Sequence, residues 1–349
     1  MKLEMNLLET YDVIDAILNK IDFNNLFAGF HKYRFALYSS KEIIIDKKAI
    51  PYQEDFRGNT SKMYEGEYIA IWNMELDPID DMEQLAYCLV HEMFHCHQQT
   101  NNETRYPSDL ELLNYPDDEQ IFLEKYNENR YLAYAYEAED ITQMKKFFTI
   151  RNSRLKRYPS VVSEELKVET LEGMAEYIGL KAFKYINEEK YNALVKDYLE
   201  KLRAESNLLF DARRISYYSG AIFLLCLEMF VFSVNNAFDS EQTIYEQNNI
   251  EFLEIPAEVH PYNFVHQNYV EFVKEKEAKI EEHISQSKYI VCDASICGYD
   301  PMNMFRVRDL IYCKNFVCLN ENGKVKVINS SVVLKLADGS NQEVVGYYF

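Results

Sequence analysis

Positive charge is scarce in this chain of 349 residues: 37 Lys and Arg stand against 57 Asp and Glu, a formal net charge of −20. Binding to a phosphate backbone needs clustered Lys and Arg to displace counterions, so nucleic acid and anionic membrane are poor partners. Long hydrophobic runs are missing too. The longest, residues 221–234, has 14 positions and contains Glu228, whereas a bilayer span takes about 20 helical residues; it reads as a core helix. The opening Met1-Lys2-Leu3-Glu4-Met5-Asn6 leads into mixed polar and apolar residues rather than the apolar core of a secretory leader, which points to the cytoplasm. The seven cysteines (88, 96, 226, 292, 297, 313, 318) are odd in number and lack an export signal, so reduced thiols are expected. Gly (10) and Pro (8) are few, in an otherwise ordinary globular composition.

What the chain has in abundance is aromatic: 28 Tyr and 21 Phe suit aromatic-rich packing or a peptide-binding cleft. The length allows one large domain with an appendage. The pattern predicts an α+β chain: a mainly helical domain over 1–287 with a small N-terminal sheet at about 33–75, then a small β-rich module over 288–349. An amphipathic helix is expected over residues 5 to about 22, and strands at 33–38, 42–46 and 66–73, with 55–60 as a loop. The strand holding Trp72 is expected at the sheet edge, where it could pair with an extended substrate. Residues 101–140 carry 11 acidic and 3 basic side chains, and 141–160 carry 6 basic and none acidic; solvated helix faces that pair with each other are expected. Residues 119 to about 157 read as a long helix, interruption allowed, stopping before Pro159. The polar stretch 235–248 reads as a loop or broken helix, followed by helix from about 262 to 287. Strands are expected at 289–292, 316–319, 324–327 and 332–336.

The informative stretch is Leu85-Ala86-Tyr87-Cys88-Leu89-Val90-His91-Glu92-Met93-Phe94-His95, which places His-Glu-x-x-His in a run with helical apolar spacing, within a helix at about 82–99. Residues four apart on a helix differ by about 40° around the axis and roughly 6 Å along it, so His91 and His95 can aim at one ion. Glu92 sits beside that ion without binding it, where a carboxylate can take a proton from water. Cys88, one turn earlier, reads as a small buried thiol, and His97 faces away from the site. Such a site needs a third protein ligand and one open position. Glu169, Glu172 and Glu176, on a helix at about 162–183, and Glu137 or Glu139 earlier, are all candidates by spacing.

The stretch Glu172-Gly173-Met174-Ala175-Glu176-Tyr177, following His-Glu-x-x-His, resembles the gluzincin metallopeptidases, the clan of thermolysin and aminopeptidase N. The resemblance implies one Zn²⁺ held by His91, His95 and Glu172, a peptide or protein substrate, and Glu92 as general base. Glu176 would orient a histidine through its other ring nitrogen. Gly173 and Ala175 would let this helix pack closely on the motif helix. Ser216-Tyr217-Tyr218-Ser219-Gly220 resembles the Tyr-x-x-Gly helix start of the aminopeptidase N-like enzymes, which implies that Tyr217, with Tyr218 next, stabilises the oxyanion. Leu171 stands where that clan has Asn, and no Gly-x-Met-Glu-Asn loop precedes the motif, with Trp72-Asn73-Met74-Glu75 only a faint echo, so aminopeptidase specificity does not carry over. A hydrolase of non-peptide amides or esters, or a non-catalytic metalloprotein serving as an interaction module, are the alternatives. Cys292, Cys297, Cys313 and Cys318 have spacing that permits a second, four-thiolate metal site. The oligomeric state leaves no signature in the sequence.

Overall fold

The computed structural model describes residues 6–116, 118–248 and 255–349. Helix α1 (Leu7–Leu18) starts at a capping box in which Asn6 and Glu9 satisfy each other's backbone N–H groups, and α2 (Phe23–Leu26) is a single turn. Residue 5, the expected helix start, lies outside the described residues. Five strands follow, β1 (Phe35–Tyr38), β2 (Glu42–Ile45), β3 (Lys48–Pro51), β4 (Thr60–Tyr64) and β5 (Glu67–Asn73), ordered β3-β2-β1-β5-β4. Only β1 and β5 run parallel.

Both sheet faces are covered. Leu37, Ala70 and Trp72 meet the helices, while Tyr38, Ile43, Ile69 and Ile71 close on Phe56 in a core of their own. Two strands were illegible because their turns carry weak signals: Asp46 and Lys47 take positive φ (50° and 61°) at the β2–β3 turn, and Glu65 and Gly66 (50° and 91°) at the β4–β5 turn. This corrects the edge assignment. The Trp72 strand, β5, is paired on both sides, and β4 is the edge on that flank.

The helical body comprises α3 (Met82–Thr100), α4 (Asp109–Leu112), α5 (Glu119–Glu137), α6 (Ile141–Arg157), α7 (Pro159–Val168), α8 (Met174–Ile186), α9 (Glu188–Arg203), α10 (Ala212–Met229), α11 (Ile244–Gln247) and α12 (Asn263–Gln286). The interruption in the long helix falls at Glu139 (φ 52°), after which the Asp140 side chain accepts from the Thr142 N–H to start α6. The apolar run at 221–234 is helical only to Met229; Val231, at positive φ, is 90% exposed. No helix among the described residues is long and apolar enough to cross a membrane.

The segregated charges pair in part on a half-exposed face, where Arg157 meets Glu124, but the larger set lies inside the protein and draws in Glu165 and Glu169 from α7 and the turn after it. Arg151 joins Glu128 (2.7 Å) to Glu169 (2.5 Å), Arg154 joins Glu128 (2.8 Å) to Glu165 (2.7 Å), and Lys125 meets Glu165 at 2.8 Å. Three cations thus meet three carboxylates, all fully buried where α5, α6 and α7 converge.

Residues 288–349 form an antiparallel sheet of β6 (Tyr289–Tyr299), β7 (Met304–Val307), β8 (Leu310–Cys313), β9 (Val317–Glu321), β10 (Lys324–Ile328), β11 (Val332–Leu336) and β12 (Glu343–Tyr348), ordered β10-β9-β6-β12-β11-β8-β7. Leu110 of α4 is buried within this sheet's core. The architecture is α+β, with a five-stranded sheet in the N-terminal part of the chain and a seven-stranded antiparallel sheet in the C-terminal part. Cys313 on β8 is separated by two intervening strands from β6, which holds Cys292 and Cys297, and no cysteine set among the described residues gathers as metal ligands. All seven thiols are free.

Between α7 and α8 the chain makes a π turn, Glu169–Gly173. Gly173 does not face the motif helix. It faces Gly220 of α10, where a Cβ on Gly173 would lie 2.7 Å from the Gly220 Cα; it is Gly179 that fits against Tyr87 of α3. Backbone has no room to give, so Gly173→Ala should destabilise the protein by about 1–3 kcal/mol and displace Glu172. An unchanged thermal midpoint together with unchanged metal affinity would contradict this.

Candidate metal centre

Helix α3 is capped by Asp81, whose carboxylate accepts from the Glu83 and Gln84 N–H groups, and it buries Leu85, Leu89, Val90, Met93 and Phe94 in the main core. That anchoring leaves His91, Glu92 and His95 on one face, lining an open cleft of about 1,270 Å³. The π turn brings Glu172 to the same point. His91 Nε2 and His95 Nε2 are 3.0 Å apart, Glu172 Oε2 is 3.1 Å from His95 Nε2, and it is 3.6 Å from His91 Nε2. A tetrahedral ion with donors at about 2.0–2.1 Å sets those donors about 3.3 Å apart. The triangle of two imidazole nitrogens and one carboxylate oxygen therefore fits a metal ion, and among the described residues it is the one such group of His, Cys, Asp and Glu.

The other glutamates are engaged elsewhere. Glu169 is held by Arg151 and Ser219, Glu137 pairs with Arg203 at the surface, and Glu139 occupies the exposed turn. Glu176 Oε1 lies 3.6 Å from His91 Nδ1, while its Oε2 accepts from the phenols of Tyr87 and, at 2.9 Å, Tyr198. Cys88 lines the cleft beside the site, half-buried. His97 faces away as expected, but it is buried among Phe27, Phe30, Phe94 and Phe238 rather than at the surface, and burial lowers it to about 4. Tyr217 stacks on His91 with ring centroids 6.3 Å apart, one and a half turns inside α10 rather than at its start. Tyr218 instead packs on Tyr198.

Neither a scan against protein-family models nor comparisons with curated proteins and solved structures return a match. The site is therefore read from its own geometry.

Three supporting contacts escaped the sequence reading. Gln98 Oε1 accepts from His95 Nδ1 at 2.7 Å while its amide donates to Leu171 O at 2.9 Å, which fixes the ring with Nε2 inward. Gln98 follows His95 by three residues on one helix, so helical spacing could have found it. Arg213 donates to Glu172 Oε1 at 2.9 Å, leaving Oε2 for the metal, and pairs on its other arm with Asp109. Arg213 precedes Tyr217 by one turn; Asp109, on a different helix, had no sequence signal. Ligand-orienting partners of this kind are worth about 10–100-fold in metal affinity. Arg213→Ala should weaken metal binding by that factor in a chelator competition, and an unchanged affinity would contradict the assignment.

Electrostatics point the same way. Burial by itself would lower His91, but the Glu172, Glu176 and Glu92 carboxylates carry it up to about 9, and His95 is raised likewise. Burial would raise Glu172, and the two imidazoles with Arg213 hold it well below the usual carboxylate range. Glu92 is pushed up by burial, with the histidines opposing. Metal uptake must displace protons from the imidazoles, so it grows more favourable as pH rises.

The cleft has two walls. Thr60 and Ser61 of edge strand β4 lie on one side, and Tyr299, Met302, Phe316 and Cys318 of the C-terminal module on the other. The module is thus part of the cleft.

Proposed function

We propose that the chain is a zinc-dependent peptide hydrolase of gluzincin type. The observation that carries the reading is the donor triangle of His91, His95 and Glu172, with Glu92 and Tyr217 in the same cleft. Zinc suits a His₂Glu set of this size, and when bound it supplies Lewis acidity toward a carbonyl and toward water. Everything else falls to the chain. His95, locked by Gln98, and Glu172, locked by Arg213, hold the metal in one geometry. Glu92 accepts a proton from the attacking water and returns it to the leaving amine, a role suited to a carboxyl raised by burial. The Tyr217 phenol, kept protonated by burial and the Glu172 charge, donates to the oxygen where negative charge develops.

A peptide substrate is favoured over other amides because β4 offers an unpaired strand edge at the cleft, and an extended chain can add to it by backbone hydrogen bonds. The test is cleavage of a peptide library by zinc-loaded protein, read by mass spectrometry. Chelator-sensitive cuts are expected. Turnover of small esters or amides with no peptide cut would move the assignment to a non-peptide hydrolase.

A further inference from the structure

A second cavity, of about 430 Å³, lies in the seam between the helical body and the C-terminal module. Its walls are aromatic on both sides. Phe210 stacks on Phe272 (4.9 Å) on the body side, and Phe305 stacks on Tyr312 (5.1 Å) on the module side. Lys276 spans the gap, over Phe272 at 4.1 Å and over Phe305 at 5.7 Å.

The charge of this lining is the reverse of the chain's: six basic side chains face three acidic ones. Arg213 and Arg214 have carboxylate partners in Asp109 and Asp211. Lys279, Arg306 and Lys314 have none within 4 Å among the described residues. Arg306 is the informative one. It is half-buried, its hydrogen bonds go to neutral oxygens of Asn341 (2.6 Å), Asn114 and Arg308, and burial pulls it below its ordinary value. A cation partly withdrawn from water gains from an anion beside it, and the Glu111 and Asp309 carboxylates nearby offset the burial only in part. Arg213 lines this cavity as well as the metal cleft, and its Nε is buried with no hydrogen-bond partner among the described residues.

We propose that this cavity binds a small amphiphilic anion, a carboxylate or phosphate head on an aromatic or short acyl body, with the head met by the basic side chains of the lining and the body against its aromatic walls. The volume suits a small molecule, within the usual range of about 300–1,000 Å³. The site shares Arg213 with the metal cleft, and binding there needs no metal.

Isothermal titration of the full, metal-free chain tests it with octanoate and phenyl phosphate as probes, which tell the two head groups apart, and with inorganic phosphate and octanol as controls. Saturable binding of at least one amphiphilic anion is expected, with both controls at least about tenfold weaker. A hydrogen bond to a charged group is worth about 1.5–3 kcal/mol, so Arg306→Ala should weaken binding about tenfold or more. Lys279→Glu, at an exposed position, should do the same. Absence of saturable binding by both probes, or binding that is unchanged in Lys279→Glu and Arg306→Ala, would overturn the proposal whatever the peptidase assay gives.

Discussion

Replacing Glu92 by Gln should cut peptide hydrolysis by about 10²–10⁴-fold, the usual contribution of a positioned general base, while leaving the bound metal in place. The amide keeps the shape of the carboxylate and cannot accept a proton. Glu92 is not one of the three converging donors, so the ion keeps its whole ligand set. The measurement is kcat and kcat/KM on one cleaved peptide, with metal content determined on the same sample. Because the lost interaction belongs to the transition state, kcat should fall and KM should change little. Activity retained within about tenfold, with metal bound, would remove Glu92 from the chemistry. Loss of metal together with activity would mean that Glu92 is a ligand and that the donor triangle has been read wrongly.

The second large effect is on folding. Arg151 is 1% exposed and is the link between Glu128 and Glu169. Arg151→Met keeps volume and removes the cation. Glu128 would still have Arg154 and Lys125, but among the described residues Glu169 would keep only the Ser219 hydroxyl as a hydrogen-bond partner for a buried carboxylate. Breaking a buried pair this way costs about 3–5 kcal/mol. With an unfolding entropy of about 2.1 cal/mol/K per residue, that lowers the thermal midpoint by roughly 4–7 °C in a chain of this length.

The pH dependence follows from the signs. Burial would raise Glu128, and Arg151, Arg154 and Lys125 overcome that and hold it well below the usual range. Its contribution is therefore present above the unfolded carboxyl value, about 4.3, and is lost as pH falls toward the lower folded value. In Arg151→Met the Glu169 carboxylate stays buried without its guanidinium, an uncompensated charge that costs stability. The gap between wild type and variant should be widest near neutral pH and should narrow under acid, where protonation relieves the buried charge. Melting temperatures from pH 4 to 8 check this; a constant gap would show that the loss is one of packing alone.

Legibility in the sequence divided by range. His91, Glu92 and His95 lie within one helical turn, so spacing alone put them on one face. Glu172 is 77 residues from His95, and only the resemblance singled it out. Regular helical spacing put Glu169, Glu172 and Glu176 on one face, but the π turn at Glu169–Gly173 fits extra backbone into that turn and fans the three apart. Glu169 turns into the buried ion network, Glu172 toward the histidines, and Glu176 toward His91 Nδ1 and the phenols of Tyr87 and Tyr198. No local pattern announces such a turn. The ion network was likewise half legible. Charge segregation showed that α5 and α6 would pair, but burial of Arg151 and Arg154 depends on α7 closing over them, which is tertiary information. Strands β3 and β4 were missed because Asp46-Lys47 and Glu65-Gly66 are not the Asn-Gly pairs by which hairpins announce themselves.

The most direct test of the metal centre is elemental mass spectrometry of purified protein, comparing wild type with His95→Ala and Glu172→Ala under metal-replete conditions. The expected result is about one zinc per chain in wild type and none retained in either variant. Wild-type protein without zinc, or zinc that survives Glu172→Ala but not His95→Ala, would contradict the proposed ligand set.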